Sequence, residues 1–444
     1  MAESENRAGM VQIHELNSEQ GTRAAQAVLG RFQDGAAGCA STVAEILARV
    51  QAEGDAALLD YCRRFDAPDM ELSGLRVSPA EFAEAEAQAD AGLRASLAFA
   101  ADRIRSFHER ELPDSWMLTR EEGMITGRLV RPVDAAGLYV PGGKEGSTPL
   151  VSSVLMNGIP AAIAGVKRRV MVTPPNRQGK VHSALLLAAQ IIGIDEVYKL
   201  GSAWAIAALA FGTKTVAPVE VIAGPGNQYV AEAKRQVMGR VRIDMLAGPS
   251  EVLIVADESA KPAFIAADML AQAEHDPQAL ALAIVLSRSR AEAVERELAL
   301  QLPRLKRADI ARTSLQERGQ IFIAPDMNAA IALANDIAIE HLELHLAEPW
   351  RWLPAIRHAG AVFLGHYSPE AAGDYVAGPN HVLPTMGTAK IASALGVETF
   401  LKHISLIHYA PEALRGDAGH IRLLAELEGL DAHAASVTQR LNES

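Results

Sequence analysis

The chain has 444 residues, 49% of them hydrophobic, which is enough for more than one sizeable core and predicts two or three domains. Its 42 basic against 54 acidic side chains leave a net charge of −12, which excludes a general affinity for nucleic acid. Only Cys39 and Cys62 occur, without metal spacing, so a disulfide scaffold and a cysteine-rich zinc module are both excluded and a reducing cytoplasm is the expected setting. The polar, acidic first residues do not read as a secretory signal, and no apolar run is long enough to span a bilayer.

Residues 1–38 carry a short apolar patch (Val11, Ile13, Leu16) and a Gln/Ala/Arg-rich run, and read as an extended arm. From Thr42 the period is helical: Val43, Ile46, Leu47 and Val50, then Ala57, Leu58 and Tyr61, recur at three and four. Ser78-Pro79-Ala80-Glu81 joins an N-cap, a first-turn proline and a glutamate able to reach back, which predicts a helix start. The Ala-rich helix it opens is expected to run past Arg105 and end before Pro113.

At Ile125 the period changes. β-rich runs at 137–141, 169–173, 196–200 and 219–223 alternate with helical segments at 151–164, 181–192, 204–211 and 230–238. A second alternating series follows at 251–255, 262–274, 282–286, 290–302, 321–324, 329–339 and 361–364. This predicts an α/β protein with two Rossmann-like, doubly wound domains. Residues 410–441 read as a helix-rich tail.

Several polar stretches carry chemistry. Gln272 and His275 are three apart at the end of an apolar helical run, so an amide oxygen and an imidazole share one face; alone they read more readily as a plain helix end than as metal ligands. Gly224-Pro225-Gly226-Asn227 and Pro141-Gly142-Gly143 are tight turns after strands, where ligands gather in open α/β sheets; each alone is also a plain turn. Ile339-Glu340-His341-Leu342-Glu343 places a carboxylate beside an imidazole, both able to move protons near neutral pH. It lacks the metalloprotease spacing, because Leu342 stands where a glutamate would have to follow the histidine. Asp374 lies in the polar, turn-rich Gly373–His381 segment and offers an oxygen ligand or a turn aspartate. His433, in the amphipathic tail, reads by itself as a surface histidine.

Together, Gly-Leu-Tyr-Val-Pro-Gly-Gly, Ala-Gly-Pro-Ser-Glu-Val-Leu, Ala-Gln-Ala-Glu-His-Asp-Pro, Glu-His-Leu-Glu-Leu and Gly-Asp-Tyr-Val-Ala-Gly-Pro-Asn-His-Val-Leu-Pro-Thr resemble the histidinol dehydrogenase family, from about residue 131 to residue 440. The resemblance implies one Zn²⁺ per subunit on Gln272, His275, Asp374 and His433, and Glu340 with His341 as acid–base residues. It implies Ser250, His381 and Glu428 near the substrate, joined there by Gln272, His275, His341, Asp374 and His433, and Tyr139 and Asn227 at NAD. His433 and Glu428 would then come from the tail of the partner in a homodimer with exchanged tails. It divides the chain into an arm (1–38), a first α/β domain with the metal and catalytic residues (39–136 with 248–384), a second, NAD-binding α/β domain (137–247) and the exchanged tail (385–444).

Three departures stand out. Gly201-Ser202-Ala203-Trp204 replaces the family's usual Gly-Gly-Ala-Gln, which sets Trp204 where an NAD-contacting glutamine is expected. The loop after Gly143 is longer by about three residues, and Ile339 replaces a frequent proline, which changes local stiffness more than chemistry. The implied reaction is the NAD-linked, four-electron oxidation of L-histidinol to L-histidine, in the last steps of histidine biosynthesis. A zinc/NAD dehydrogenase of the same fold acting on another alcohol, such as 2,3-dihydroxypropane-1-sulfonate, is the alternative. A non-enzymatic zinc-dependent assembly protein is a third.

Overall fold

The computed structural model describes residues 9–31, 38–120, 123–142 and 149–442. The loop after Gly143 lies outside them. The strands are, in chain order, β1 (Gln12–Glu15), β2 (Trp116–Thr119), β3 (Met124–Pro132), β4 (Ala135–Tyr139), β5 (Arg168–Thr173), β6 (Glu196–Lys199), β7 (Val221–Ala223), β8 (Arg242–Ile243), β9 (Glu251–Ala256), β10 (Leu280–Val285), β11 (Gln320–Ile323), β12 (His341–His345), β13 (Ala361–Leu364) and β14 (Leu401–Tyr409). They form a parallel five-stranded sheet ordered β6-β5-β4-β7-β8, a parallel six-stranded sheet ordered β1-β11-β10-β9-β12-β13, and an antiparallel sheet ordered β14-β3-β2. Both parallel sheets reverse their winding once, between β4 and β7 and between β9 and β12.

Parallel strands buried on both faces must be apolar on both, and these are. Val252 and Ile254 of β9 enter one core and Leu253 and Val255 the other, one core on each side of the six-stranded sheet. The five-stranded sheet divides in the same way, with Leu138 in one core and Tyr139 in the other. This is the doubly wound α/β architecture the alternation predicts. No helix among the described residues is long and apolar enough to cross a membrane.

Three segments depart from expectation. The supposed arm is integral: β1 pairs in parallel with β11 as an edge strand, and the helix Glu19–Leu29 follows it, capped by Ser18. Its short apolar patch alternates with period two, a strand signal that three residues carry weakly. The helices at 40–108, grouped by sequence with the six-stranded sheet, pack instead on the five-stranded one. Ala40–Glu53 and Asp55–Phe65 cover one face, and Pro79–Ala87 and Ala91–His108 the other. The long helix expected from Ser78 does begin there, with a complete capping box, but breaks after Ala87. It restarts at Asp90, whose carboxylate accepts from Leu93 N at 3.0 Å and caps a second helix.

The C-terminal helices Pro411–Leu427 and Asp431–Asn442 pack chiefly on each other, and Leu423, Leu424 and Leu427 stay exposed.

Candidate active site

His341 opens β12, between β9 and β13. A strand, rather than a helix, therefore presents the Glu340–His341 pair. Gly360 lets the chain pass: a Cβ there would stand 2.6 Å from the Glu340 carbonyl. The His341 Nδ1–H donates to the Glu251 carbonyl at 3.0 Å, which fixes the tautomer and turns Nε2 toward Asp374, 3.9 Å away. That Nε2 is buried and accepts no hydrogen bond among the described residues. Burial pushes the His341 pKa down to about 3, so the ring is neutral with its lone pair free.

Glu340 is buried beside it, 3.7 Å from His341 Nδ1, and accepts the Glu251 amide at 2.7 Å. Burial and the neighbouring carboxylates hold its pKa well above the ordinary range. Glu251 in turn receives a buried bidentate pair from Arg31, at 2.6 and 2.9 Å, and the Met386 amide at 3.0 Å. Arg31 also donates to the Val28 and Ile337 carbonyls. Glu251 is thus the fixture from which both Glu340 and His341 hang. Sequence reasoning missed it, because its partner lies 220 residues away.

The helix Pro262–Ala273 crosses above and brings in Gln272, fully buried, with its amide nitrogen 3.1 Å from the Glu370 carboxylate and 3.3 Å from the Glu251 carbonyl. His275 follows just past the helix end. It reaches the surface on one side, yet the protein packed around its ring lowers its pKa. One ligating atom each from His275, Glu370 and Asp374 lie within 4.8 Å of one another. Burial and mutual repulsion raise the Glu370 carboxyl, and burial raises Asp374. A buried and a half-buried carboxyl facing an imidazole, an amide and the orphaned His341 Nε2 form a donor set that suits a zinc-type cation. Glu370 was missed as well; it carries no motif, only a position one turn before Asp374 on the short helix Glu370–Tyr375.

His381 donates its Nδ1–H to the Asp374 carbonyl at 3.1 Å, and its buried Nε2 has no partner among the described residues, with the pKa pushed down to about 4 by burial. Ser250 precedes β9 at the same end of the sheet, its carbonyl accepting from Leu280 N. Gln272, His275, Asp374, His381, Ser250, Glu340 and His341 therefore gather at the amino ends of β9 and β12. His433 and Glu428 do not join them. His433 lies on the last helix and Glu428 caps the end of the one before it, and no ligating group among the described residues includes His433.

The other predicted residues gather at the winding reversal of the five-stranded sheet. Gly224, with φ of +113°, ends β7 against β4; a Cβ there would stand 2.1 Å from the Tyr139 carbonyl, so only glycine fits. Asp244 accepts the Gly224 amide at 2.8 Å, and Lys234, paired with Asp244, donates to the Gly224 carbonyl at 3.0 Å. Both polar groups of the turn are pinned. Asn227 caps the helix Gln228–Val237 and is itself exposed. Asn157 donates to the Tyr139 carbonyl at 3.3 Å and keeps a buried Oδ1 with no partner among the described residues. The glycine lets the two strands close up at the reversal, the place where an open α/β sheet binds a dinucleotide, and the Asn157 acceptor left beside this cradle of backbone suits a hydroxyl donor of such a ligand. Asn380, next to His381, donates to the Met156 carbonyl at 2.7 Å, so the metal-type cluster and this cradle adjoin.

Tyr139 is buried, its hydroxyl accepting from Ser202 N at 3.1 Å. Trp204 is 5% exposed and packs against both Tyr61 and Phe65, with ring centroids at 5.5 and 5.6 Å. Ser202, where the family usually has glycine, holds a left-handed φ of +48°.

The histidinol dehydrogenase family model matches residues 30–441. A curated histidinol dehydrogenase from Desulfotalea psychrophila is 63% identical over 426 residues, covering 96% of this chain and 98% of its own. One from Oleidesulfovibrio alaskensis is 51% identical, covering 90% and 92%. The crystal structure of histidinol dehydrogenase from Elizabethkingia anophelis superposes with a TM-score of 0.91 at 35% identity, covering 98% of this chain and 99% of that one. With those matches spanning nearly its whole length, the chain belongs to the histidinol dehydrogenase family.

Proposed function

We propose that the chain oxidises L-histidinol through the aldehyde to L-histidine, reducing two NAD⁺. The observation that carries this reading is the His341 imidazole: neutral, its tautomer fixed by the Glu251 carbonyl, its Nε2 buried and free beside Asp374, with the Glu340 carboxyl on its Nδ1 side. Gln272, His275 and Asp374, with His433 of the partner subunit, would hold the metal; Tyr139, Asn227 and the Gly224 turn would hold NAD. When bound, the metal supplies positive charge that orients the substrate's imidazole and amine, and NAD supplies the hydride acceptor.

His341 Nε2 takes the alcohol proton in the first oxidation and the proton of the hydrated aldehyde in the second. Glu340, whose burial makes its carboxylate a stronger base than an exposed one, takes a proton from the water that adds to the aldehyde. Ser250 and His381 line the substrate's side of the site. No thiol takes part, since Cys39 and Cys62 are buried in the core on the Tyr139 face of the five-stranded sheet, under the helices at 40–65. The two unpaired cysteines also suit a cytoplasmic enzyme.

Tail exchange in a homodimer explains why His433 and Glu428 stand away from the site and why the leucines beside them are exposed. The names of the relatives favour histidinol over the sulfonated diol.

Counting NADH per substrate consumed tests the reading. Two per L-histidinol, and none from 2,3-dihydroxypropane-1-sulfonate, is expected. One per histidinol means that oxidation stops at the aldehyde, and none refutes the assignment.

A further inference from the structure

β12 alternates: Leu342 and Leu344 enter one core, and His341, Glu343 and His345 point to the opposite face, beneath the helix Pro262–Ala273. That helix carries Gln272 over the candidate active site and, one turn earlier, Asp268 over Glu343 and His345. The second group has no part in the chemistry proposed above.

His345 Nε2 stands 3.0 Å from a Glu343 carboxylate oxygen and 3.5 Å from an Asp268 oxygen, and one ligating atom from each of the three lie within 4.8 Å of one another. His345 and Glu343 are 1% and 0% exposed. Even so, neither His345 ring nitrogen nor Glu343 Oε2 finds a hydrogen bond of acceptable geometry among the described residues. Glu343 Oε1 is already taken, by the Glu370 amide at 2.8 Å. His366 lies edge-on to His345, ring centroids 5.9 Å apart, and its buried Nδ1 has no partner among the described residues either. Every unmade bond of a buried polar group is a desolvation cost with nothing set against it.

Position adds a second argument. The six-stranded sheet reverses its winding between β9 and β12, and the cluster sits at the carboxyl end of β12, the usual ligand crevice of an open α/β sheet. The candidate active site uses the opposite, amino ends. A proton held between the carboxyls is the competing account, since burial and Glu343 push Asp268 up to about 8. One proton, however, leaves most of these atoms unpaired.

We propose that Asp268, Glu343 and His345 form a second, closed site for a zinc-class divalent ion, with His366 as the adjoining donor. One imidazole and two carboxylates are ligands such an ion accepts. Bonds of about 2.0–2.2 Å in a tetrahedron set donors roughly 3.3–3.6 Å apart, and the spacings of 3.0 and 3.5 Å lie close to that edge. The ion would clamp β12 to the helix Pro262–Ala273, the two elements that deliver His341 and Gln272.

Metal counting on the whole protein tests this. The chain is loaded with zinc, freed of loose metal by gel filtration and measured by plasma mass spectrometry, with circular dichroism as the check on folding. Two zinc ions per chain are expected. His345→Gln and Asp268→Asn should each fall to one while still oxidising histidinol. His275→Gln, altered only at the other site, should also keep one zinc while losing activity; its cluster is intact, so its residual zinc decides the matter even if neither cluster variant folds. Equal zinc in the wild type and the folded cluster variants overturns the proposal, and so does a single zinc that His275→Gln abolishes. A single zinc kept by His275→Gln but lost in His345→Gln supports this site and overturns the catalytic-metal reading instead.

Discussion

Replacing Trp204 by alanine asks whether this side chain serves the cofactor or the core. A buried tryptophan removes about 150–250 Å² from water, roughly 4–6 kcal/mol at 25 cal/mol per Å² as an upper bound. Stacking on Tyr61 and Phe65 adds about 0.5–1.5 kcal/mol. Against this, the indole N–H has no acceptor among the described residues, which returns about 1–3 kcal/mol. The balance is a loss of about 3–5 kcal/mol in Trp204→Ala, the usual range for emptying an aromatic core site. Trp204→Phe keeps a ring in the stack and discards the unpaired N–H, so it should stay within about 1.5 kcal/mol of the wild type. Urea unfolding at fixed protein concentration measures both, and the KM for NAD should stay within about twofold in folded protein. An alanine variant with an unchanged urea midpoint and a tenfold higher KM for NAD would refute the core assignment.

Glu340→Gln should slow aldehyde oxidation more than alcohol oxidation, and His341→Asn should slow both by roughly 10²–10⁴-fold; stopped-flow measurement of the two half-reactions checks this, and equal damage from Glu340→Gln sinks the division of labour. Mixing His341→Asn chains with His433→Ala chains by joint refolding should restore roughly a quarter of wild-type activity if tails are exchanged, because about half the dimers are mixed and each has one intact site. No recovery in mixed dimers confirmed by mass would place His433 in its own subunit's site. Ser202→Gly should stabilise the protein by about 0.5–1 kcal/mol, because a left-handed non-glycine residue costs about 1–2 kcal/mol and the glycine's added chain entropy returns only part of that. A lower urea midpoint in that variant would show that the Ser202 hydroxyl has a role of its own.

The doubly wound architecture was legible because its strands are short apolar runs at helix-length intervals, and the strand and helix segments from 137 to 364 fall within a few residues of the observed elements. β12 was not, although His341-Leu-Glu-Leu-His345 alternates as a strand should. Its polar residues face a helix that is itself polar at Asp268 and Gln272, so the buried face does not look buried in the sequence. The metal-type residues of the body were legible from motif segments, whereas Glu251, Glu370 and Asn157 were not. Each acts through a partner that only the fold brings near: Arg31 for Glu251, Gln272 for Glu370, Tyr139 for Asn157. Trp204 was legible as a departure that read equally as a packing partner of NAD or as a core residue, because the aromatic rings packed on it come from a helix some 140 residues earlier.

The pairing of Arg31 with Glu251 bears on how the protein can be cut and fused. A shortened version starting at residue 38 would look harmless if the first residues were loose. It would in fact strip an edge strand from a sheet and take away the one guanidinium that neutralises a carboxylate locked in the interior. Breaking a buried pair from one side costs about 3–5 kcal/mol, and here the orphaned side chain belongs to the residue whose backbone amide and carbonyl hold Glu340 and His341. Crystallisation trims, affinity tags and domain fusions are therefore better placed ahead of β1 than at the boundary after Arg31.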